Sequence, residues 1–404
     1  MELKFPLILD GATGTQIQKR GFDGSTAAEK WTLEHPEAML EIQRDYVRSG
    51  SQGVYAPTFG ANRVKLEERG LTGVVEEYNL RLAALAKQAA EGKAMVAGDL
   101  APTGKFLYPL GSLTFEDLVA VYTEQAAALE KAGVDLFVIE TTMTLAEARA
   151  AVLAVKSVSE KPVFVSFTCN EKGRTLTGTD VTAALVVMQG MGVDAFGLNC
   201  SAGPEEMLVQ LRRLSEYAEV PLMAKPNAGM PQVVDGKTVY DCPPERFTAL
   251  VEEMAAAGVC IFGGCCGTEK EHIAALAEKT AKLTMKSPAP AHPDKLILAT
   301  EKLPFLLDAV EYGAVLECDD DLEDALFDAE EEDDVMIAIR ITGEDQLDAF
   351  SEVQGMIGKP LCLLCEDAAL LEQALRRYQG RAAYSGSLPG EALEPLVKKY
   401  GLIR

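Results

Sequence analysis

An alternation that repeats eight times in the first 285 residues constrains this chain more than any other feature. A short apolar, β-branched run is followed each time by a longer Ala/Leu/Glu-rich run of helical period. The short runs are Leu7–Asp10, Gly53–Ala56, Met95–Asp99, Leu136–Glu140, Val163–Thr168, Ala195–Asn199, Leu222–Lys225 and Cys260–Gly263. The helical runs that follow them cover 36–49, 76–91, 116–131, 145–157, 180–190, 204–217, 243–257 and 269–280. Thr114 and Thr268 read as helix N-caps. Eight βα units in a segment of this size predict a (β/α)8 TIM barrel. The rival is an open doubly wound sheet, which carries a Gly-rich phosphate loop after its first strand. Here that strand runs into Asp10-Gly11-Ala12-Thr13-Gly14-Thr15, and neither GxGxxG nor GxxxxGK[ST] occurs.

The Pro-rich stretch Ser287–Pro293 predicts a linker over 286–294 between a barrel over 1–285 and a smaller α/β domain over 295–404. The 404 residues hold 38 Lys and Arg against 62 Asp and Glu, a net charge of −24. Residues 295–404 hold 24 acids and 10 bases, so they contribute −14 of it. A chain this acidic is not expected to bind nucleic acid or an anionic membrane surface. No apolar run approaches the ~20 residues of a membrane span. The run Phe5–Leu9 stops at Asp10, too short for a signal-peptide core. Nine cysteines, an odd count, then read as reduced thiols in a cytoplasmic protein. Glu317–Asp334 holds 12 acids and no base. It is expected to be a solvated helix face or loop, with docking of a basic protein as the alternative. The runs Val335–Ile341, Pro360–Leu364 and Ala368–Tyr378 mark this region as folded.

In a TIM barrel the residues after each strand gather on one rim, and that rim carries the chemistry. The rim here reads Asp10, Thr58, Asp99, Glu140, Cys169, Asn199-Cys200, Lys225-Pro226-Asn227 and Gly263-Gly264-Cys265-Cys266-Gly267-Thr268. Strands 6 and 8 lie two strands apart, about 10 Å. An inward bend at Gly263-Gly264 would bring Cys265 and Cys266 to Cys200. Three thiolates without a fourth protein ligand describe a zinc site with an open position. An added thiol loses its proton on coordination yet stays nucleophilic beside three anionic sulfurs, which suits alkylation of a thiol. The bland alternatives are buried cysteines acting as small apolar residues, or a vicinal redox pair. Asp10 and Glu140 are candidates for an ammonium group, and the amides of Gly11–Thr15 for a carboxylate. His35, His272 and His292 fall where structural roles suffice. Cys362 and Cys365 sit in a strand-like run where i and i+3 face opposite ways. Trp31 reads as packing.

The segments Leu9–Thr15, Thr58-Phe59-Gly60-Ala61-Asn62, Ile139-Glu140-Thr141, Gly197-Leu198-Asn199-Cys200 and Gly263–Thr268 resemble the homocysteine S-methyltransferase family, in order, over about residues 1–285. The resemblance implies Zn2+ on Cys200, Cys265 and Cys266, homocysteine as the thiol, and methionine as the product. It implies Asp10 and Glu140 at the amino group, with Gly11, Thr15, Thr58 and Asn199 as further substrate contacts. It leaves the donor open between a methyl-corrinoid (methylcobalamin) or methylfolate system on a partner protein and a small sulfonium, S-methylmethionine or S-adenosylmethionine. A non-catalytic homocysteine- or zinc-binding protein is the alternative of another class.

In the tail, Glu311–Val315, Ala374–Arg381 and Leu396–Gly401 resemble part of a pterin-binding barrel. The departures fall at Leu363-Leu364-Cys365 and Tyr384-Ser385-Gly386, and no DxHxxG corrinoid motif occurs. The expected role of the tail is packing, or docking of a separate corrinoid or folate protein.

Overall fold

A computed structural model describes residues 3–108, 110–234, 237–285, 289 and 291–404. Residue contacts divide the chain into two units. One holds Met1–Thr175, Val193–Ser215 and Val220–Ala289; the other holds Leu176–Gly192, Glu216–Glu219 and Pro290–Arg404. Of the predicted linker, 286–288 and 290 lie outside the described residues.

The first unit is the TIM barrel. Its strands are β1 (Leu7–Ile8), β2 (Gly53–Tyr55), β3 (Met95–Leu100), β4 (Leu136–Thr142), β5 (Val163–Phe167), β6 (Ala195–Asn199) and β7 (Leu222–Lys225). A hairpin of β8 (Gln232–Val234) and β9 (Lys237–Val239) precedes the last barrel strand, β10 (Val259–Phe262). Every pairing around the barrel is parallel, in the order β1-β10-β7-β6-β5-β4-β3-β2. The seam between β1 and β2 closes through a Leu9–Gly53 bridge and the Gln52 amide, which donates to the Ile8 carbonyl at 2.6 Å.

The strands read as unbroken apolar runs because both faces are covered, one by helices and one by the barrel interior. Leu9, Tyr55, Ala97, Val138, Phe164, Ala195, Met223 and Ile261 belong to the buried interior cluster. Two positions further along three of these strands, the period of 2 brings Asp99, Glu140 and Lys225 to the same side at the strand ends. The barrel therefore has an apolar floor and a charged upper layer.

Local signals account for several helix starts. Thr114 accepts from the Asp117 amide while Asp117 bonds back to Thr114, a reciprocal cap for Phe115–Ala132. Thr268 is not the cap predicted for the last helix. Glu269 caps Lys270–Thr280 with His272, and the Thr268 hydroxyl is used inside the preceding loop. The predicted helix at 243–257 divides into Pro244–Phe247 and Val251–Ala256.

The second unit contains an antiparallel pair, β11 (Leu296–Ala299) and β12 (Pro304–Leu307). It also contains a parallel sheet of β13 (Val315–Glu317), β14 (Ile337–Arg340), β15 (Leu361–Leu364) and β16 (Ala383–Tyr384). Of the segment Glu311–Val315, only Val315 lies in a strand. Helices Leu322–Glu331, Gln346–Val353 and Ala368–Arg377 connect the sheet strands, and Gly390–Tyr400 follows β16. Ala338, Cys362 and Ala383 on one sheet face pack with Leu298 and Leu307 of the β11–β12 pair, so the chain itself fills that face. Cys362 and Cys365 are both buried, and none of the nine cysteines forms a disulfide. The acidic run forms the helix Leu322–Glu331, with Leu322 and Leu326 buried and Glu323, Asp324 and Asp328 exposed. The helix Val181–Gly190 belongs to this unit, where Asp180 donates its amide to the Lys302 carbonyl at 3.1 Å.

Candidate functional site

The rim of the barrel brings Cys200, Cys265 and Cys266 together. Their sulfurs all lie within 4.8 Å of one another, and those of Cys200 and Cys266 are 3.5 Å apart. This is the one such cluster of three metal-ligating side chains among the described residues. The loop after β7 spans the gap between β6 and β10. The Cys265 amide donates to the Pro226 carbonyl at 2.9 Å, and the Ala228 amide to the Cys266 carbonyl at 2.9 Å. Asn227 Nδ2 donates to the Cys200 carbonyl at 2.7 Å, which leaves Asn227 Oδ1 a buried acceptor without a partner.

Cys200 itself has φ of +59° and Thr141 has +58°, conformations that cost a non-glycine residue about 1–3 kcal/mol each. Asn199 holds the second of them. Its Oδ1 accepts from the Thr141 amide and Ser166 Oγ, both at 3.0 Å, and its Nδ2 donates to Thr141 Oγ1 at 2.7 Å.

The glycines around the cysteine pair are required by shape. A Cβ on Gly264 would stand 2.4 Å from Thr268 Oγ1. Gly267 has φ of +81°, and its Cβ would meet the Tyr240 ring at 2.2 Å. Gly267→Ala is expected to cost about 1–2 kcal/mol in backbone strain alone. It should also move Tyr240, which hydrogen-bonds with the Cys266 sulfur. Urea unfolding measures the loss of stability.

The sulfurs form an electrostatically unfinished set. Hydrogen bonds from Cys200 and Cys265 lower the Cys266 thiol to about 3. Bonds to Cys200 and Cys266, then burial, push Cys265 well above the ordinary range. Three neighbouring thiols do not all ionise side by side unless a cation balances their charge. Tetrahedral zinc with Zn–S bonds of ~2.3 Å separates its sulfurs by about 3.8 Å, so the donor set fits.

Beside the cluster lies a cavity of about 240 Å³, lined among others by Asp10, Gly11, Phe59, Asp99, Glu140 and Lys225 together with the three cysteines. Lys225 and Asp99 stand among the strand-end rim residues of the sequence, which assigns neither of them a role. Lys225 is buried, with its Nζ 3.4 Å from Asp10 Oδ1, 3.9 Å from Glu140 Oε2 and 3.4 Å from the centre of the Tyr55 ring. Burial works against its charge, but Tyr55, Asp10 and Glu140 reverse this and hold the ammonium above the usual lysine range. Burial raises Glu140 to about 7, against the pull of Lys225 and with the help of Asp10 and Cys266. Asp99 is raised well above its ordinary value, first by burial and then by Glu140.

The other sequence candidates take supporting positions. Thr58 and Asn199 are buried and do not line the cavity. Thr58 Oγ1 donates to the Asp99 carbonyl at 2.8 Å. Thr15 Oγ1 accepts from the Gly267 amide at 3.2 Å, tying the first loop to the last. Thr268 Oγ1 does the same, accepting from the Ala12 amide at 3.0 Å and donating to the Cys265 carbonyl at 2.7 Å. Cys169 lines a separate cavity of about 350 Å³. Trp31 stacks on His35 and is buried, and His272 Nε2 pairs with the Cys242 carbonyl at 2.9 Å.

Residues 7–280 match the family described as homocysteine S-methyltransferase. Methionine synthase of Mycobacterium tuberculosis is 30% identical over 323 residues, 75% of this chain and 27% of that protein. Methionine synthase of Mycobacterium leprae is 32% identical over 296 residues, 68% of this chain and 24% of that protein. The chain thus spans about a quarter of the length of these relatives. The metallated form of the homocysteine methyltransferase MmuM from Escherichia coli superposes with a TM-score of 0.58 at 25% identity, covering 68% of this chain and 96% of that one. With the matched family spanning the whole barrel, the chain belongs to the homocysteine S-methyltransferase family.

Proposed function

We propose that the chain holds one zinc ion through Cys200, Cys265 and Cys266 and methylates the thiol of homocysteine, giving methionine, with the methyl group delivered by a methyl-corrinoid or methylfolate system on a separate protein. One observation carries the reading. A single small cavity has three sulfurs on one side and buried carboxylates on another, and Asn199 Nδ2 reaches both, at 3.4 Å from Glu140 Oε2 and 3.9 Å from Cys265 Sγ. That spacing suits a short molecule with a thiol at one end and an ammonium at the other.

When bound, zinc supplies a Lewis acid that keeps a substrate sulfur ionised near neutral pH. The protein's own residues position the rest. The carboxylates at the strand ends hold the ammonium. Ile17, Ala28 and Phe59 line the cavity and keep water from the sulfur. The sulfur lone pair then forms the new S–C bond as the methyl carbon leaves its donor.

The cavity lies below the ~300 Å³ lower end of ordinary small-molecule pockets. A corrinoid or folate therefore presents its methyl group from outside. Exposed Phe59, Phe106, Tyr108 and Leu110 on the loops after β2 and β3 support a partner at this rim. One observation favours the second reading, in which S-methylmethionine or S-adenosylmethionine is the donor: the barrel match already covers 96% of the solved Escherichia coli protein. For the second unit, the filled face of β13–β16 favours packing or partner docking over folate binding. Among the described residues no helix is long and apolar enough to cross a membrane. Reduced thiols fit a cytoplasmic setting.

The test is zinc per chain, then methionine formed from homocysteine with methylcobalamin, S-methylmethionine, S-adenosylmethionine or betaine. One zinc per chain and methionine from a corrinoid donor is expected. Methionine from a sulfonium alone selects the second reading. Zinc-free protein after purification under reducing conditions overturns the metal assignment, and zinc without methionine from any donor, even with added corrinoid protein, leaves a binding protein.

A further inference from the structure

Cys200, Cys265 and Cys266 all line the cavity into which a methyl group must be delivered. A methyl donor there meets the protein's own sulfurs as well as the substrate's, and their chemistry is alike. Methylation of a cysteine would disable the site. The cysteine lone pair would form the S–C bond, the electron pair of the broken bond would leave with the donor, and the resulting thioether would carry no charge to hold a metal. Turnover therefore requires the cysteines to be poorer nucleophiles than the thiol they activate.

A hydrogen bond donated to a thiolate has this effect. It draws charge from the sulfur, and nucleophilicity falls with basicity. The three sulfurs differ in what they receive. Cys266 has the Tyr240 hydroxyl. Cys265 has Asn199 Nδ2 at 3.9 Å, a long contact from a group already committed to Thr141 Oγ1 at 2.7 Å. Among the described residues the Cys200 sulfur has no hydrogen-bond partner beyond the other two cysteines.

Tyr240 is built into its position. Its ring lies so close to Gly267, the residue after Cys266, that a Cβ there would stand 2.2 Å from it. The stretch that carries it follows β9 and is fastened to the loop of the cysteine pair. The Cys242 amide donates to the Ala228 carbonyl at 3.0 Å, and the Ala228 amide to the Cys266 carbonyl at 2.9 Å. Tyr240 is partly buried and is not among the residues that line the cavity, so it meets the sulfur without meeting the substrate.

Resting on the zinc reading, we propose that Tyr240 is a positioning residue that acts through Cys266: its hydroxyl, donated to that sulfur, keeps Cys266 from taking the methyl group meant for the substrate. Cys200, which lacks such a donor, is then the protein sulfur most open to stray methylation.

The experiment uses the full zinc-loaded chain without homocysteine. The probe is methyl iodide, an electrophile small enough to enter the cavity, which releases iodide as the S–C bond forms. Methylation of each cysteine is followed by peptide mass spectrometry in wild type and Tyr240→Phe, with zinc content and thermal unfolding recorded beforehand. Phenylalanine keeps the ring beside Gly267 and removes only the hydroxyl. In wild type, Cys200 is expected to be methylated faster than Cys266. In Tyr240→Phe the ratio of Cys266 to Cys200 methylation rises about 3–10-fold. That range follows from a charge-assisted hydrogen bond of the usual strength and a Brønsted fraction of about 0.4–0.5. Zinc content before alkylation stays at the wild-type level. A general loss of stability exposes both sulfurs together, so a purely structural role for Tyr240 leaves the ratio where it was.

An unchanged ratio overturns the assignment, as does wild type in which Cys266 is methylated faster than Cys200. So does Tyr240→Phe that no longer holds zinc, since the hydroxyl would then serve metal binding and not selectivity. Wild type without zinc refutes the underlying reading itself, a result distinct from zinc-loaded wild type and variant that are methylated alike.

Discussion

Cys266→Ser is expected to leave the barrel folded, to release the metal, and to lower methyl transfer to homocysteine by more than about 100-fold. That bound comes from outer-shell substitutions, which already cost about 10–100-fold, so the loss of a ligand exceeds it. Serine keeps the shape of the side chain, and the bond from the Ala228 amide to the residue 266 carbonyl does not involve the sulfur. What is lost is the thiol that hydrogen bonds from Cys200 and Cys265 hold lowest of the three. A hydroxyl does not ionise in this range, and Cys200 with Cys265 offers only two sulfurs. Cys362→Ser is the matched control, a buried thiol in the second unit whose high value of about 12 comes from burial alone. Metal analysis and methionine formation on the two variants separate a ligand from a merely buried cysteine. Full zinc and activity in Cys266→Ser would end the three-sulfur assignment.

The parts of this molecule legible in the sequence are those set by local chemistry. Strands buried on both faces must be continuous apolar runs, so β3 through β7 lie within a residue or two of their predicted ends. The cysteine cluster was legible because two glycines on one side and one on the other leave a pair of thiols little to do except turn inward at a rim. The charged layer was harder to read. Asp99 and Lys225 look like the polar ends of apolar runs, and their meaning comes from neighbours across the barrel that no spacing along the chain reveals. Thr58, Asn199 and Thr268 illustrate the reverse case. Each stands at a strand end or loop where substrate contact or capping was expected, and each has its polar atoms engaged inside the protein. The pairing of β8 with β9 and the grouping of Val181–Gly190 with the second unit depend on tertiary packing, and the local pattern does not carry them.

Lys225→Met tests that charged layer directly, and a loss of about 3–5 kcal/mol of unfolding free energy is expected at pH 7.5. That is the usual result of removing one partner from a buried ion pair, since the carboxylates left behind stay desolvated. Methionine retains most of the stem, and its thioether can still lie against the Tyr55 ring. The difference therefore reports the charge. Its pH dependence has a definite sign. With lysine in place, burial already raises Glu140 from 4.5 to about 7 and raises Asp10 and Asp99 as well. Removing the cation raises all three further. A carboxyl whose pKa is higher folded than unfolded binds its proton on folding, so stability falls as pH rises between the two values. The deficit of the variant should accordingly be largest above pH ~7, the value to which Glu140 is raised, and shrink toward pH ~5 as Glu140 takes up its proton. Urea unfolding of both proteins at these two pH values provides the comparison. An equal deficit at both would mean that the ammonium contributes only through its stacking on Tyr55, and the carboxylates of this layer would then have to be balanced by something other than Lys225.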